Sequence, residues 1–283
     1  MIKKLALCNE VLAPWDFARQ CAYASALGYR GLEVAPFTLS DDPFAITDAQ
    51  AAGWRRIAED HGLVLCGLHW LLVAPRGLSI SSPDAGVRAR TDALIARLVD
   101  LCAELGGSYL VHGSPAQRNP APGQPAGEAL AFATEAWIRA GERATPAGLA
   151  YCIEPLSRNQ TRTVNTLAEA MAIVQAANLP GLCTMLDTSS AGQTEEEPLD
   201  VLVDRWAPTG RLVHVQLNDR NRRGPGQGGD RFAPVLAALG RHGYDGWLAM
   251  EPFDYHPDGP ACAAHSLGYV RGLLERSSGG AGD

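Results

Sequence analysis

An α/β fold, eight parallel strands closed into a (β/α)8 TIM barrel, is predicted by three observations. Eight short apolar runs recur along the 283 residues, and most are apolar at nearly every position, as strands buried on both faces are. Helical patterns fill the gaps, and alternating β and α units imply a parallel sheet. Eight such units in one chain imply closure, because eight strands leave an interior that side chains can fill.

The runs cover residues 4–8, 31–35, 64–68, 109–111, 150–153, 183–186, 212–217 and 247–250. After the first, Asp16 caps a helix that runs to Gly28. Over residues 85–105, Val87, Leu94, Ile95, Leu98, Val99, Cys102 and Leu105 share one helical face, and Gly106 with Gly107 ends it. Thr166 and Glu169 make a capping box that opens another helix after the fifth run. Two long loops, residues 114–127 and 221–230, follow the fourth and seventh strands, on the face where barrels build their sites. No linker interrupts the pattern, so residues 1–276 read as one domain and 277–283 as a disordered tail.

With 46% hydrophobic residues the chain can fill a large core. Its formal charge of −7 and pI near 5.5 lack the basic footprint of a nucleic-acid binder. Small molecules are the expected partners, with neither nucleic acid nor membrane. The seven cysteines form no CxxC pair, several lie in apolar runs, and the first apolar segment is broken by Asn9 and Glu10. Those features point to reduced thiols in a cytoplasmic protein without a signal peptide.

Chemistry-bearing residues fall where the last four strands end. Glu154 closes the fifth, Asp187 the sixth, His214 lies in the seventh and Glu251 closes the eighth. Neighbouring strands of a closed barrel bring these groups to one rim. Converged carboxylates repel unless a cation neutralises them. Three carboxylates and an imidazole make a hard, oxygen-rich set that favours one divalent ion, Mn²⁺ or Mg²⁺ first, with Co²⁺ or Zn²⁺ as alternatives.

The segments Ile153-Glu154-Pro155-Leu156, Leu186-Asp187-Thr188, Val213-His214-Val215 and Met250-Glu251-Pro252-Phe253 resemble the sugar phosphate isomerase/epimerase superfamily, with its xylose isomerase-like barrel. Ketose 3-epimerases and hydroxypyruvate isomerases are the best-understood relatives. Gly28 to Glu33 and Gly243 to Trp247 fit the same pattern, so the resemblance spans nearly the whole chain. It implies that Glu154 and Glu251 are both metal ligands and the acid/base pair. They would interconvert a ketose or hydroxy-keto sugar acid through a metal-bound enediolate, in a homo-oligomer. Two positions depart from the family. Ser190 stands where the epimerases carry a substrate-binding histidine, three residues after the aspartate. Gln160 stands where they often carry a glutamate, six residues after the first ligand. The arginine expected six residues after the histidine is Arg220.

Further substrate-binding candidates are His69, His112, Arg118, Arg158 and Glu33, all near strand ends. Arginines at a rim suit an anionic substrate such as a keto-sugar acid. The same enediolate chemistry would serve a lyase or decarboxylase of a 3-oxo-sugar acid, which is the alternative reaction. Endonuclease IV shares the barrel, but its trinuclear zinc site uses several more histidines. A binding barrel without catalysis is the remaining alternative.

Overall fold

In the computed structural model, which describes residues 2–279, eight parallel strands close into a barrel in chain order. They are β1 (Leu5–Cys8), β2 (Gly31–Val34), β3 (Val64–Leu68), β4 (Tyr109–His112), β5 (Ala150–Ile153), β6 (Leu182–Asp187), β7 (Leu212–Leu217) and β8 (Leu248–Met250). The barrel shuts where β8 pairs with β1, Ala249 opposite Ala6. All eight expected strands are present, with ends shifted by a residue or less.

Helices separate the strands: α1 (Phe17–Leu27), α2 (Asp48–Asp60), α3 (Ala85–Glu104), α4 (Ala126–Ala144), α5 (Leu167–Ala177), α6 (Thr188–Thr194), α7 (Leu199–Trp206), α8 (Phe232–Arg241) and α9 (Gly259–Gly279). Asp16 caps α1 by accepting from the Arg19 amide at 2.9 Å, and Thr166 with Glu169 closes a capping box on α5. A second capping box, Thr47 with Gln50, opens α2. The connection from β6 to β7 is split into α6 and α7, and α6 begins directly from the strand because Asp187 is its N-cap. The backbone of α9 runs to Gly279; residues 280–283 of the expected tail lie outside the described residues.

Alternate residues of each strand face the barrel interior or the helices. Gly67 in β3 makes one interior position possible, since a side chain there would meet the Tyr109 ring at 2.5 Å. Tyr109 fills that space and stacks on His214 with ring centroids 4.0 Å apart. Among the described residues no helix is long and apolar enough to cross a membrane.

Candidate active site

Three carboxylates from three strand ends meet above this interior. Glu154, Asp187 and Glu251 are buried, and one oxygen of each lies within 4.8 Å of the others. Gly113, just past β4, makes room for the first of them, since a methyl group there would overlap the Glu154 carboxylate. Asp187 Oδ1 accepts from the Ser190 amide at 2.6 Å, so the cap of α6 also orients the carboxylate. Asn218, unmarked in the sequence reading, donates to Asp187 Oδ2 at 2.8 Å and to the Glu251 carbonyl at 3.0 Å.

Without a counter-ion this group is electrostatically uncomfortable. Burial, then the Asp187 charge, pushes the Glu154 carboxyl up to about 8. Burial also raises Asp187, and it raises Glu251 well above the ordinary carboxylate range. A divalent cation would relieve that repulsion, so the donor set fits one.

Two residues of β7, His214 and Gln216, lie at different depths beneath these carboxylates. His214 pairs with Met185 across the β6–β7 ladder, one layer below the carboxylates, and its Nε2 lies 2.8 Å from Glu33 Oε2. Gln216 pairs with Asp187, and its Oε1 is buried without a hydrogen-bond partner among the described residues. Both residues point into the barrel, so alternation alone does not choose between them. A register shift between Thr184 and Met185 sets the depth at which each lies. Glu33 belongs to the lower layer, accepting from Gln216 Nε2 and Tyr109 Oη, each at 2.5 Å. Burial alone would raise its carboxyl, but His214, then His69 and the Tyr109 hydroxyl, bring it to about 2.

His69, just beyond β3, touches the cluster. Its Nδ1 lies 3.0 Å from Glu251 Oε1 and its Nε2 lies 3.0 Å from Glu10 Oε2. Burial would lower its basicity, yet Glu10 and Glu251 hold the imidazole protonated well above its usual range. Glu10, absent from the sequence candidates, comes from the turn after β1. Cys8 lies in the same group, but both imidazole nitrogens already meet carboxylates, so hydrogen bonding accounts for it.

Gln160 and Ser190 line a cavity of about 260 Å³ that opens onto Asp187, together with Ser157, Arg222 and Phe253. Trp70 stacks on Phe253 at 5.5 Å and forms an aromatic wall with Phe37. The other sequence candidates lie elsewhere. His112 alternates outward on β4, bonding Tyr151 Oη at 2.6 Å and packing edge-on against Trp137, and burial pushes it down to about 3. Arg118 is buried and ties the rim together, donating to the Glu154 carbonyl at 2.7 Å. Arg158 is exposed beside an outer hollow, and Arg220 is ion-paired to Asp230 at 2.6 Å. Counting six residues from Gln216 instead of His214 reaches Arg222, the arginine in the cavity. Trp70, Ser114, Val164 and Arg222 all have left-handed φ, between 43° and 69°, and all lie in loops on the site's face. Such conformations cost energy and concentrate at functional sites.

Fold and site together define a (β/α)8 barrel that gathers acidic side chains from its later strands at the C-terminal rim. The chain belongs to the xylose isomerase-like TIM barrel family, whose model matches residues 21–273. It is 32% identical over 229 residues to a ketose 3-epimerase of Arthrobacter globiformis, covering 79% of this chain and 74% of that one. It is 30% identical over 231 residues to a D-psicose 3-epimerase of Agrobacterium fabrum, covering 80% and 76%. A crystal structure of a D-psicose 3-epimerase in the presence of D-fructose shares the fold, with a TM-score of 0.82 at 24% identity over 96% of this chain and 99% of that one.

Proposed function

We propose that this chain is a divalent-metal-dependent isomerase or epimerase of a ketose or hydroxy-keto sugar acid. The carrying observation is the buried convergence of Glu154, Asp187 and Glu251, with the unpartnered amide oxygen of Gln216 in register beside them. Those four side chains would hold the cation, Mn²⁺ first. A bound divalent ion supplies Lewis-acid stabilisation for the oxyanion that develops when a proton leaves the carbon beside a carbonyl.

The chain's own residues supply the proton chemistry. Glu154 and Glu251 are buried carboxylates on the site's face, and they would act as the general base and the general acid. One removes the carbon-bound proton to leave an enediolate, and the other returns a proton. Return to the opposite face of the same carbon gives an epimer, and return to the neighbouring carbon gives an isomer. His69 fixes one oxygen of Glu251, so the second oxygen is presented in a defined direction. The stacked rings of Trp70 and Phe253 would help to exclude water beside the site. The names of the relatives, a ketose 3-epimerase and a D-psicose 3-epimerase, support a sugar as the substrate.

The test is to incubate the Mn²⁺-loaded protein with ketoses and keto-sugar acids in D₂O. Deuterium should appear at the carbon next to the carbonyl. Failure of every substrate to exchange that proton would overturn the proposal, and release of CO₂ or of an eliminated product would replace it with the lyase reading.

A further inference from the structure

We propose that the cavity beside the carboxylate cluster is a subsite for a second, anionic end of the substrate, so that the preferred substrate is a ketose carrying a terminal carboxylate (a ketouronate). The inference rests on the reaction just proposed and names its substrate class.

Two features carry it: a departure particular to this chain, and an arginine at a position the epimerase pattern shares, which that departure leaves without a negative neighbour on the cavity wall other than Asp187. The first is the Gln160–Ser190 pair, at the positions where the sequence departs from the epimerase pattern. Gln160 Oε1 accepts from the Ser157 amide at 3.2 Å, from Ser157 Oγ at 2.8 Å and from Ser190 Oγ at 3.1 Å. A backbone N–H only donates, so the Ser157 amide fixes the oxygen on that side and leaves Nε2 as the free end, without a protein partner among the described residues. A glutamate in the same pose would satisfy the same three donors but would turn a second, negative oxygen to the free side. The glutamine keeps the local structure and turns an acceptor into a donor.

The second feature is Arg222. Its neighbours are neutralised: Arg220 pairs with Asp230 at 2.6 Å and Arg223 with Asp254 at 2.8 Å. Arg222 pairs with no carboxylate among the described residues. Its guanidinium lies 4.7 Å over the Phe253 ring, on the cavity wall. Its left-handed backbone, φ 69°, is held by its amide donating to the Asp219 carbonyl at 2.7 Å and by its carbonyl accepting from Phe253 and Asp254. Asp187 is the only acidic residue among those lining the cavity, and it belongs to the carboxylate cluster. The rest of the wall therefore carries one uncompensated positive charge and no negative one. A guanidinium fork matches a carboxylate in two hydrogen bonds, which makes that anion the best complement.

The experiment uses matched pairs that differ only at the terminal carbon: D-fructose with D-fructuronate, and D-tagatose with D-tagaturonate. Deuterium exchange by the Mn²⁺-loaded protein gives kcat/KM, and calorimetry gives affinity independently of turnover. The uronate of each pair should bind at least about tenfold more tightly, with the gain in KM rather than kcat. Arg222→Gln should erase the preference, and Gln160→Glu should reverse it by like-charge repulsion, while both variants keep the metal content of the parent. Equal or tighter binding of the neutral sugars would overturn the subsite, as would an unchanged preference in Arg222→Gln. If no compound exchanges a proton but the uronates still bind selectively, the subsite stands and the proposed reaction falls.

Discussion

Gln216 lies directly across the β6–β7 ladder from Asp187, with its amide oxygen buried and unpaired among the described residues. His214, two residues earlier, faces the same interior one layer deeper, against Glu33. The proposed metal site therefore takes the amide, rather than the imidazole, as its fourth donor, on the strength of its register beside Asp187. Replacing Gln216 with Ala should weaken Mn²⁺ binding by at least about tenfold, equivalent to about 1.4 kcal/mol. His214→Ala should leave that affinity within about threefold while lowering stability, because it removes the partner of a buried charge. Calorimetric titration of each variant with Mn²⁺ separates the two; the opposite ranking would restore His214 as the ligand.

Gly113 provides a second handle on the site. A methyl group at this position would occupy the space of the Glu154 carboxylate. Gly113→Ala should displace that carboxylate and lower kcat/KM by about a hundredfold or more, a loss of the size expected when a reacting group is misplaced by an ångström. The fold should persist, at a cost of about 1–3 kcal/mol for overpacking. Activity and thermal unfolding measured on the same preparation check both parts; full activity would remove Glu154 from its assigned role.

The barrel and three of the site's carboxylates were legible in the sequence for a physical reason. Strands buried on both faces are apolar at nearly every position, so a Glu or Asp that ends such a run marks the rim, as Glu154, Asp187 and Glu251 do. Register was not legible. His214 and Gln216 share parity, and only the irregular pairing beside Met185 sets which one reaches the rim. The same ambiguity extends to the arginine six residues on, which is Arg220 from His214 and Arg222 from Gln216. His112 was readable in principle, because inward-facing Tyr109 places a residue three positions later on the outer side. Glu10 and Asn218 had no comparable signal: one follows a strand in a short turn, and the other resembles any polar loop residue.

The pH dependence of the metal-free protein follows from the raised carboxyls. Glu154 has an ordinary value of 4.5 and a folded value of about 8. Its folded form holds a proton that the unfolded chain has released, so stability is complete below about 4.5 and is lost as pH rises toward 8. The depressed Glu33 acts in the opposite direction, but between about 2 and 4.5, outside this window. The melting temperature of EDTA-treated protein should therefore fall from pH 5 to pH 9, and saturating Mn²⁺ should reduce that fall. A flat or rising profile without metal would contradict the electrostatic account of the cluster.

His69 joins Glu10 to Glu251 through both ring nitrogens. His69→Ala would leave two buried carboxylates without their shared partner. The expected cost is about 3–5 kcal/mol of stability, the range for breaking a buried charge pair. Adding Glu10→Gln to His69→Ala should recover part of that loss, because it removes one of the stranded charges. Equilibrium denaturation of the single and double variants checks this; a double variant less stable than the single one would refute the bridge.

The most direct measurement is an anomalous-difference map from crystals soaked in MnCl₂, collected at the manganese edge. A single peak enclosed by Glu154, Asp187, Gln216 and Glu251 is the predicted result. A peak beside His214 and Glu33, or no peak within reach of the three carboxylates, would contradict the account.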